Sequence, residues 1–371
     1  MINSVMSYFS FRPLTYGYAN ARVHGMYSNL LSSSQIEELI SARSVSILAE
    51  LLERTAYKKD LVEFSLKFSG EELIELALSK NFAKFSKQIL SFTPGSTKLI
   101  VDALLSRWDA HNVKTIILAK KQKKTFEQIL PYLTLAGTLS KNQLKQLLMS
   151  ESAEDFYAKL RFTTFGAGLI SLPSSHSNGS SVRTMFLSME NDDSALEPLL
   201  GILDYYAFKS LSDATRLPFR EAQEVEPLLQ RYADEKNLST LLRMVEAGAD
   251  AQTLLKYLVP GGKVSAAQWK SMFELKDIPK ILEKASRKLP LKSAIAKYNK
   301  TKKISDVEVE LSQDSAKKGL MQFRHSQLSL GTIVGAILLK EQEVANIRKI
   351  VRAKSLGLSG EQTHSMMVLV K

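Results

Sequence analysis

An all-α fold assembled from repeated multi-helix modules is what this 371-residue sequence predicts. Three observations lead to it: Asn-led apolar-basic stretches recur, the interval from Asn to a downstream Ser cap repeats, and no strand-period run of useful length appears. The clearest stretch is Lys340–Leu358, KEQEVANIRKIVRAKSLGL. Its centre, an Asn followed by a short apolar-basic helix, recurs at Asn112 (NVKTIILAK), at Asn237 (NLSTLLRMV) and, as the poorest copy, at Asn20 (NARV). After Asn112, Asn237 and Asn346, apolar residues fall one, four and five positions on. That is one stripe of a helix, which packs inward while Lys and Arg face out.

Taken in order, Tyr16–Leu31 reads as a helix. Ser33-Ser34-Gln35 reads as the N-cap of the next, with Glu37 and Glu38 in its first turn. Ser44–Tyr57 and Leu61–Phe68 are amphipathic in turn, and Ser69-Gly70-Glu71-Glu72 opens a helix over Leu73–Leu90. Pro94-Gly95 punctuates before Leu99–Trp108 leads into the Asn112 block. Beyond Asn112, Leu130-Pro131-Tyr132-Leu133 ends a further helix and Gly137 precedes Ser140; beyond Asn237, Leu258-Val259-Pro260 and Gly262 precede Ser265. The Asn-to-Ser intervals, 140 − 112 and 265 − 237, are both 28, an identity that two unrelated helical hairpins do not readily share. Leu31–Ile36 reads as a shortened version of the same cap. Leu104–Trp108, Leu228–Tyr232 and Ile337–Glu341 read as matched stretches ahead of each Asn.

The modules lie 237 − 112 = 125 and 346 − 237 = 109 residues apart. This is too long for a short solenoid repeat and suits three wedges about a pseudo-axis. Ser- and Gly-rich Gly166–Ser194 and charged Lys297–Gln313 read as exposed loops between modules. The domain reading is therefore an N-terminal region with the first module over 1–165, a second module over 166–298 and a third over 299–371.

Lys+Arg exceed Asp+Glu by 50 − 38 = 12, which suggests an acidic partner, anionic lipid or nucleic acid. There is no cysteine, so disulfides and thiolate metal sites are excluded. MINSVMSYFSFRPL lacks the features of a signal peptide. Leu330–Leu339 is the most lipid-like segment, yet it is about half of the roughly 20 apolar residues of a spanning helix. It reads as a buried helix, and any membrane association as peripheral.

The sequence offers little chemistry. His24, His111, His176, His325 and His364 stand apart with no metal-site spacing or catalytic signature. Gly166-Ala167-Gly168 follows no strand and reads as a turn, and Glu190, Asp192 and Asp193 sit in a Ser-rich stretch as solvated acids. Lys280–Lys303 carries nine basic residues against Glu283 alone; it reads as a solvated basic face, since only Tyr298 is near to stack a base. No catalytic, metal or cofactor-binding residue is assigned, and no cofactor is expected. What remains are the module asparagines, read as satisfied buried bridges rather than partner-facing groups. Lys340, Glu341 and Glu343 have no evident intrahelical partner, which leaves them for pairing between modules.

Three pieces of the chain together resemble a known family. They are Tyr16–Val23 (YGYANARV), Leu203–Tyr206 (LDYY) and Lys340–Ile350 with Lys354 and Gly357-Leu358. The last is the most specific, resembling a K-E-x-E-x-x-N-[LI]-R-x-I pattern. The family is the central-stalk C subunit of archaeal and bacterial A/V-type ATP synthases, related to the d subunit of eukaryotic vacuolar ATPases. The resemblance implies an all-helical, funnel-shaped, pseudo-threefold body with no catalytic role. It also implies a seat on the cytoplasmic face of the membrane, between central shaft subunits and the proteolipid rotor ring. Anionic lipid headgroups are a further expected contact and nucleic acid is not. Asn20, Arg22, Asn112, Asn237, Lys340, Glu341, Glu343, Asn346 and Arg348 are the candidate repeat and assembly residues. The competing reading is a helical-repeat scaffold that binds an acidic protein or RNA.

Overall fold

The computed structural model describes residues 12–172, 181–189, 195–218, 220–325 and 328–370, and among these the regular elements are helical throughout. The first group is α1 (Arg12–Tyr27), α2 (Ser33–Ser41), α3 (Val45–Leu52), α4 (Lys58–Phe64) and the long α5 (Gly70–Phe92). Next come α6 (Lys98–Lys121), α7 (Phe126–Ile129), a 3-10 turn (Leu130–Tyr132), α8 (Lys141–Leu148), α9 (Ala153–Arg161), α10 (Thr164–Ile170), α11 (Val182–Ser188) and α12 (Leu196–Thr215). Then follow α13 (Arg220–Glu246), α14 (Ala251–Tyr257), α15 (Ala266–Phe273), α16 (Ile278–Ser286), α17 (Lys292–Thr301) and α18 (Ile304–His325). The last are α19 (Leu330–Ser355) and α20 (Gly360–Ser365).

The helices that carry Asn112, Asn237 and Asn346 are α6, α13 and α19, and their surroundings repeat in detail. Each ends on a left-handed residue eleven positions after its Asn: Lys123 (φ 51°), Gly248 (φ 68°) and Gly357 (φ 69°). The next amide then reaches back five residues, from Lys124 to the Ala119 carbonyl, Ala249 to Met244 and Leu358 to Ala353, at 3.0, 3.0 and 2.9 Å. This is the Schellman closure that stops a helix sharply. Thr125, Asp250 and Ser359 cap the helices that follow.

Capping boxes, in which a Ser side chain and a Gln three residues on satisfy each other's backbone amides, open α8 at Ser140, α15 at Ser265 and α2 at Ser32. Twelve residues later in each case (152 − 140, 277 − 265, 44 − 32), Ser152, Asp277 and Ser44 cap α9, α16 and α3. A long helix then returns to pack on the first: α12 on α6, α18 on α13, and α5 on α19. The third set therefore joins α19 and α20 to α2–α5, segments far apart in sequence.

The apolar core divides accordingly. One cluster runs from Ala110 to Ala207 and another from Leu238 to Leu311. The largest gathers α1–α5, the first half of α6, Ala222–Leu229 and most of α19. The Leu330–Leu339 stretch is buried in this last cluster, and no described helix is long and apolar enough to cross a membrane.

Several local expectations change. Gly166–Ser194 is not simply a loop: α10 and α11 lie in it, capped by Thr163 and Ser181. Val182, Met185 and Phe186 are buried there, and Ser181 serves as a helix cap. Gly166–Gly168 lies inside α10, where a Cβ on Gly166 would stand 1.9 Å from the Leu160 carbonyl oxygen; the glycine permits a close helix approach and makes no turn. His176, Glu190, Asp192 and Asp193 fall outside the described residues. Lys297–Gln313 is likewise helical except at Lys302 and Lys303, because Ile304, Val307 and Leu311 form an apolar stripe beneath its charges. Ser32, not Ser33, is the α2 cap.

Candidate functional site: buried polar seams between the long helices

Each long Asn-bearing helix uses its Asn to hold an irregular segment. Asn112 Nδ2 donates to the Thr134 carbonyl and its Oδ1 accepts from the Thr134 amide, both at 2.8 Å. Asn237 does the same to Val259, again at 2.8 Å twice, and Asn346 to Val368 at 2.7 and 3.1 Å. In all three the partner lies 22 residues on. An Asn side-chain amide matches one residue's backbone donor and acceptor together, so a residue lacking helical partners is buried with both groups satisfied. Asn20, the poorest copy, makes the same pair of bonds at a longer 3.3 Å, to both backbone groups of Ser329, 309 residues away and not 22, and so ties α1 to the start of α19.

Three residues before each of Asn112, Asn237 and Asn346 stands a carboxylate, of which sequence reasoning singled out Glu343 and missed Asp109 and Asp234. Asp109 accepts from the Thr138 and Leu139 amides at 2.8 and 2.9 Å, and Asp234 from those of Lys263 and Val264 at 2.8 and 3.1 Å. Both are pushed above the usual carboxylate pKa by burial, with those amides pulling the other way. Gly137 and Gly262 make the approach possible: a Cβ at either would fall 2.2 or 2.1 Å from the carboxylate oxygen. The signal was present in the sequence, as Asp at one fixed offset before Asn and Gly at another after it.

In the third set the acid is Glu343, and it reaches across the chain. Its carboxylate accepts from the Leu31 amide, from the Tyr57 hydroxyl at 2.7 Å and from Lys340 Nζ at 2.7 Å. Leu31 precedes Ser32 just as Leu139 precedes Ser140, so the shortened N-terminal cap supplies the other half of the third set. Lys340 is 2% exposed, donates to the Tyr57 hydroxyl at 2.9 Å and lies 4.4 Å from that ring's centroid. Burial first, then the Glu343 charge, hold the Tyr57 pKa well above its ordinary value. The absence of an intrahelical partner for Lys340 is thus corrected: Lys340 and Glu343 are an i,i+3 pair, legible from spacing alone.

Glu341 pairs between helices. Arg107 donates to it at 3.0 Å, and the same guanidinium lies 4.3 Å from the Tyr232 ring centroid. Arg107, Tyr232 and Glu341 each stand five residues before their Asn (112 − 107, 237 − 232, 346 − 341), so the matched stretch ahead of Asn112 begins at Ala103 and not at Leu104. Burial opposes the Arg107 charge, but Glu341 and Tyr232 outweigh it and its pKa is raised; burial pushes the Tyr232 hydroxyl up to about 12.

Arg348 fixes α19 to α5 through Glu75 Oε2 at 2.8 Å and Ser79 Oγ at 3.1 Å. Arg22 is exposed, with its guanidinium 5.9 Å from both the Tyr18 and Phe92 ring centroids. Of the candidate residues, Asn112 and Asn237 serve their own seams, while Lys340, Glu341, Glu343, Asn346 and Arg348 share α19 and bind it to five other segments, at Leu31, Tyr57, α5, α6 and Val368. Among the described residues no group of three or more His, Asp or Glu is placed to hold a metal ion.

These seams hold helices together and present no nucleophile, base and open cleft in register. The sequence matches the family described as ATP synthase (C/AC39) subunit over residues 19–366. Relatives along nearly all of both chains include the C subunit of the A-type ATP synthase of Methanocaldococcus jannaschii, 26% identical over 95% of this chain and 86% of its own length. That of Haloferax volcanii is 26% identical over 95% and 97%, and that of Thermoplasma acidophilum 22% identical over 95% and 98%. With a match across almost its whole length, the chain belongs to the ATP synthase (C/AC39) subunit family, whose members are non-catalytic stalk subunits.

Proposed function

We propose that this chain is the socket of a rotary A/V-type ATP synthase, seating the foot of the central shaft on the proteolipid rotor ring. In this reading it sits peripherally on the cytoplasmic face of the membrane, near anionic headgroups, and passes torque for ion-driven ATP synthesis or ATP-driven pumping. Its body is a funnel of three units about a pseudo-threefold axis: residues 98–215, residues 220–325, and residues 330–370 completed by 30–92.

The observation that supports this most is the meeting of Arg107, Tyr232 and Glu341 at one offset from three matched asparagines. Equivalent positions of three similar helices come together most simply around a common axis. A coupling element must also resist twisting, and close-packed helices joined by satisfied buried polar seams deform little. The excess of 12 positive charges favours a site beside anionic lipid or acidic protein loops.

Co-purification of tagged chain with shaft subunits and proteolipid ring tests the reading. Omitting the chain is expected to uncouple ion movement while ATP hydrolysis by the isolated catalytic head continues, and Asn346 or Arg348 substitutions are expected to loosen the assembly without changing that hydrolysis. Loss of hydrolysis in the isolated head without the chain, or recovery of the chain with nucleic acid and no ring, contradicts it.

A further inference from the structure

A groove of about 310 Å³ runs between α5 and the segment from Leu130 to Lys141, at the seam between the third and first sets of helices. On α5, Leu76, Lys80, Ala83, Lys84 and Lys87 form one helical face. Leu76 and Ala83 give the groove an apolar floor that Leu133 and Leu135 complete from the other wall. Lys80, Lys84, Lys87 and Lys141 rim it, against Glu63 alone among the acids of its lining. Lys80 is paired with Glu63 and Lys84 with Asp60, but Lys87 and Lys141 are exposed and have no carboxylate within 4.0 Å among the described residues.

The far wall is preformed. Thr134, between Leu133 and Leu135, has both backbone groups held by Asn112, so the apolar side chains beside it keep their positions without a ligand. At the corresponding seam α12 comes against α14 through Gly201, whose Cβ would stand 2.5 Å from the Lys256 carbonyl. After Gly70, α5 has no glycine to allow such an approach, and the groove lies along this seam.

We propose that this groove docks an amphipathic helix of a partner protein, one whose apolar stripe is flanked by Asp or Glu. A helix is favoured over an extended peptide because α5 has its backbone groups bonded within the helix and Thr134 has both of its own held by Asn112, which leaves no continuous edge for strand addition, whereas a helix satisfies its own. The floor takes the stripe, and the lysines take flanking carboxylates. The proposal goes beyond the rotary reading and does not depend on it.

The test is fluorescence anisotropy of the full chain with a labelled Leu/Glu peptide whose leucines fall at i, i+3, i+4 and i+7, and with the same peptide carrying Lys for Glu. The Glu peptide is expected to bind, more weakly as salt rises, and to lose about tenfold or more in affinity with Lys87→Glu/Lys141→Glu. Both lysines are exposed, so that variant is expected to keep its circular dichroism spectrum. Leu135→Asp, a change in the floor, provides an independent second loss. Equal binding of the Lys peptide, unchanged affinity in the charge-reversed variant, or no binding of the Glu peptide overturns the proposal. Displacement of the peptide by phosphatidylglycerol vesicles that need the same two lysines overturns it in favour of a lipid surface.

Discussion

Substituting Glu343 tests whether the third set of helices is held by its buried polar centre. Glu343 uses one oxygen for the Leu31 amide and the other for the Tyr57 hydroxyl and Lys340, so Glu343→Gln, with a single oxygen, puts an NH2 in place of one acceptor and leaves Lys340, 2% exposed, with no countercharge. Breaking a buried pair from one side costs about 3–5 kcal/mol, which puts this variant at a loss of about 3 kcal/mol or more. Lys340→Met leaves a carboxylate that still accepts two hydrogen bonds, for a loss of about 2 kcal/mol. The double variant removes both charges and is expected within about 2 kcal/mol of the parent, giving a coupling of about 3 kcal/mol. Urea unfolding followed by fluorescence of Trp108, which packs on the same cluster, measures each corner of the cycle. Hydrogen exchange adds a local readout, since the Leu31 amide is expected to lose protection in Glu343→Gln before the Asp109-bound amides do. A single-variant loss below about 1 kcal/mol, or strict additivity, would refute the argument.

Gly262→Ala forces a methyl against Asp234 and is expected to destabilise by about 1–3 kcal/mol in thermal melts. Lys123→Gly relieves a left-handed residue where the matched positions already have glycine, so a gain of about 0.5–1 kcal/mol is expected in the same measurement. Burial, the largest influence, raises the Glu235 pKa to about 7, against about 4.3 in an unfolded chain. The folded state therefore keeps a proton that the unfolded state has released, and this group's contribution to stability falls as pH rises from about 4.3 to 7, by up to about 4 kcal/mol. Glu235→Gln is expected to flatten that part of the stability–pH curve, and an unchanged curve would rule the group out.

Much of the fold was legible because helices announce themselves locally. Stripes one, four and five residues after each Asn, Ser caps at one interval and an abrupt Gly or Pro beyond them are set by backbone chemistry within a few residues. What escaped was tertiary. The serine- and glycine-rich region resembled a loop because α10 and α11 are short, and their burial of Phe165 and Phe186 depends on neighbours far away. The third set was obscured for the same reason: nothing near Leu31 in sequence shows that its amide is meant for Glu343. The shift in register ahead of Asn112 hid Arg107, whose role exists only where three helices come together. Lys340 and Glu343, by contrast, could have been paired from spacing alone.

Because α5 packs on α19, a face of α5 has no cover until residues 330–355 have been made, some 240 residues after α5 leaves the ribosome. At about 5–20 residues per second that is a wait of roughly 10–50 s. During it the first two sets of helices can form from contiguous chain, while the side of α5 that faces α19 stays uncovered. Biogenesis thus runs out of order: a helix made before the first two sets is enclosed after them, and it needs shelter from aggregation in the interval.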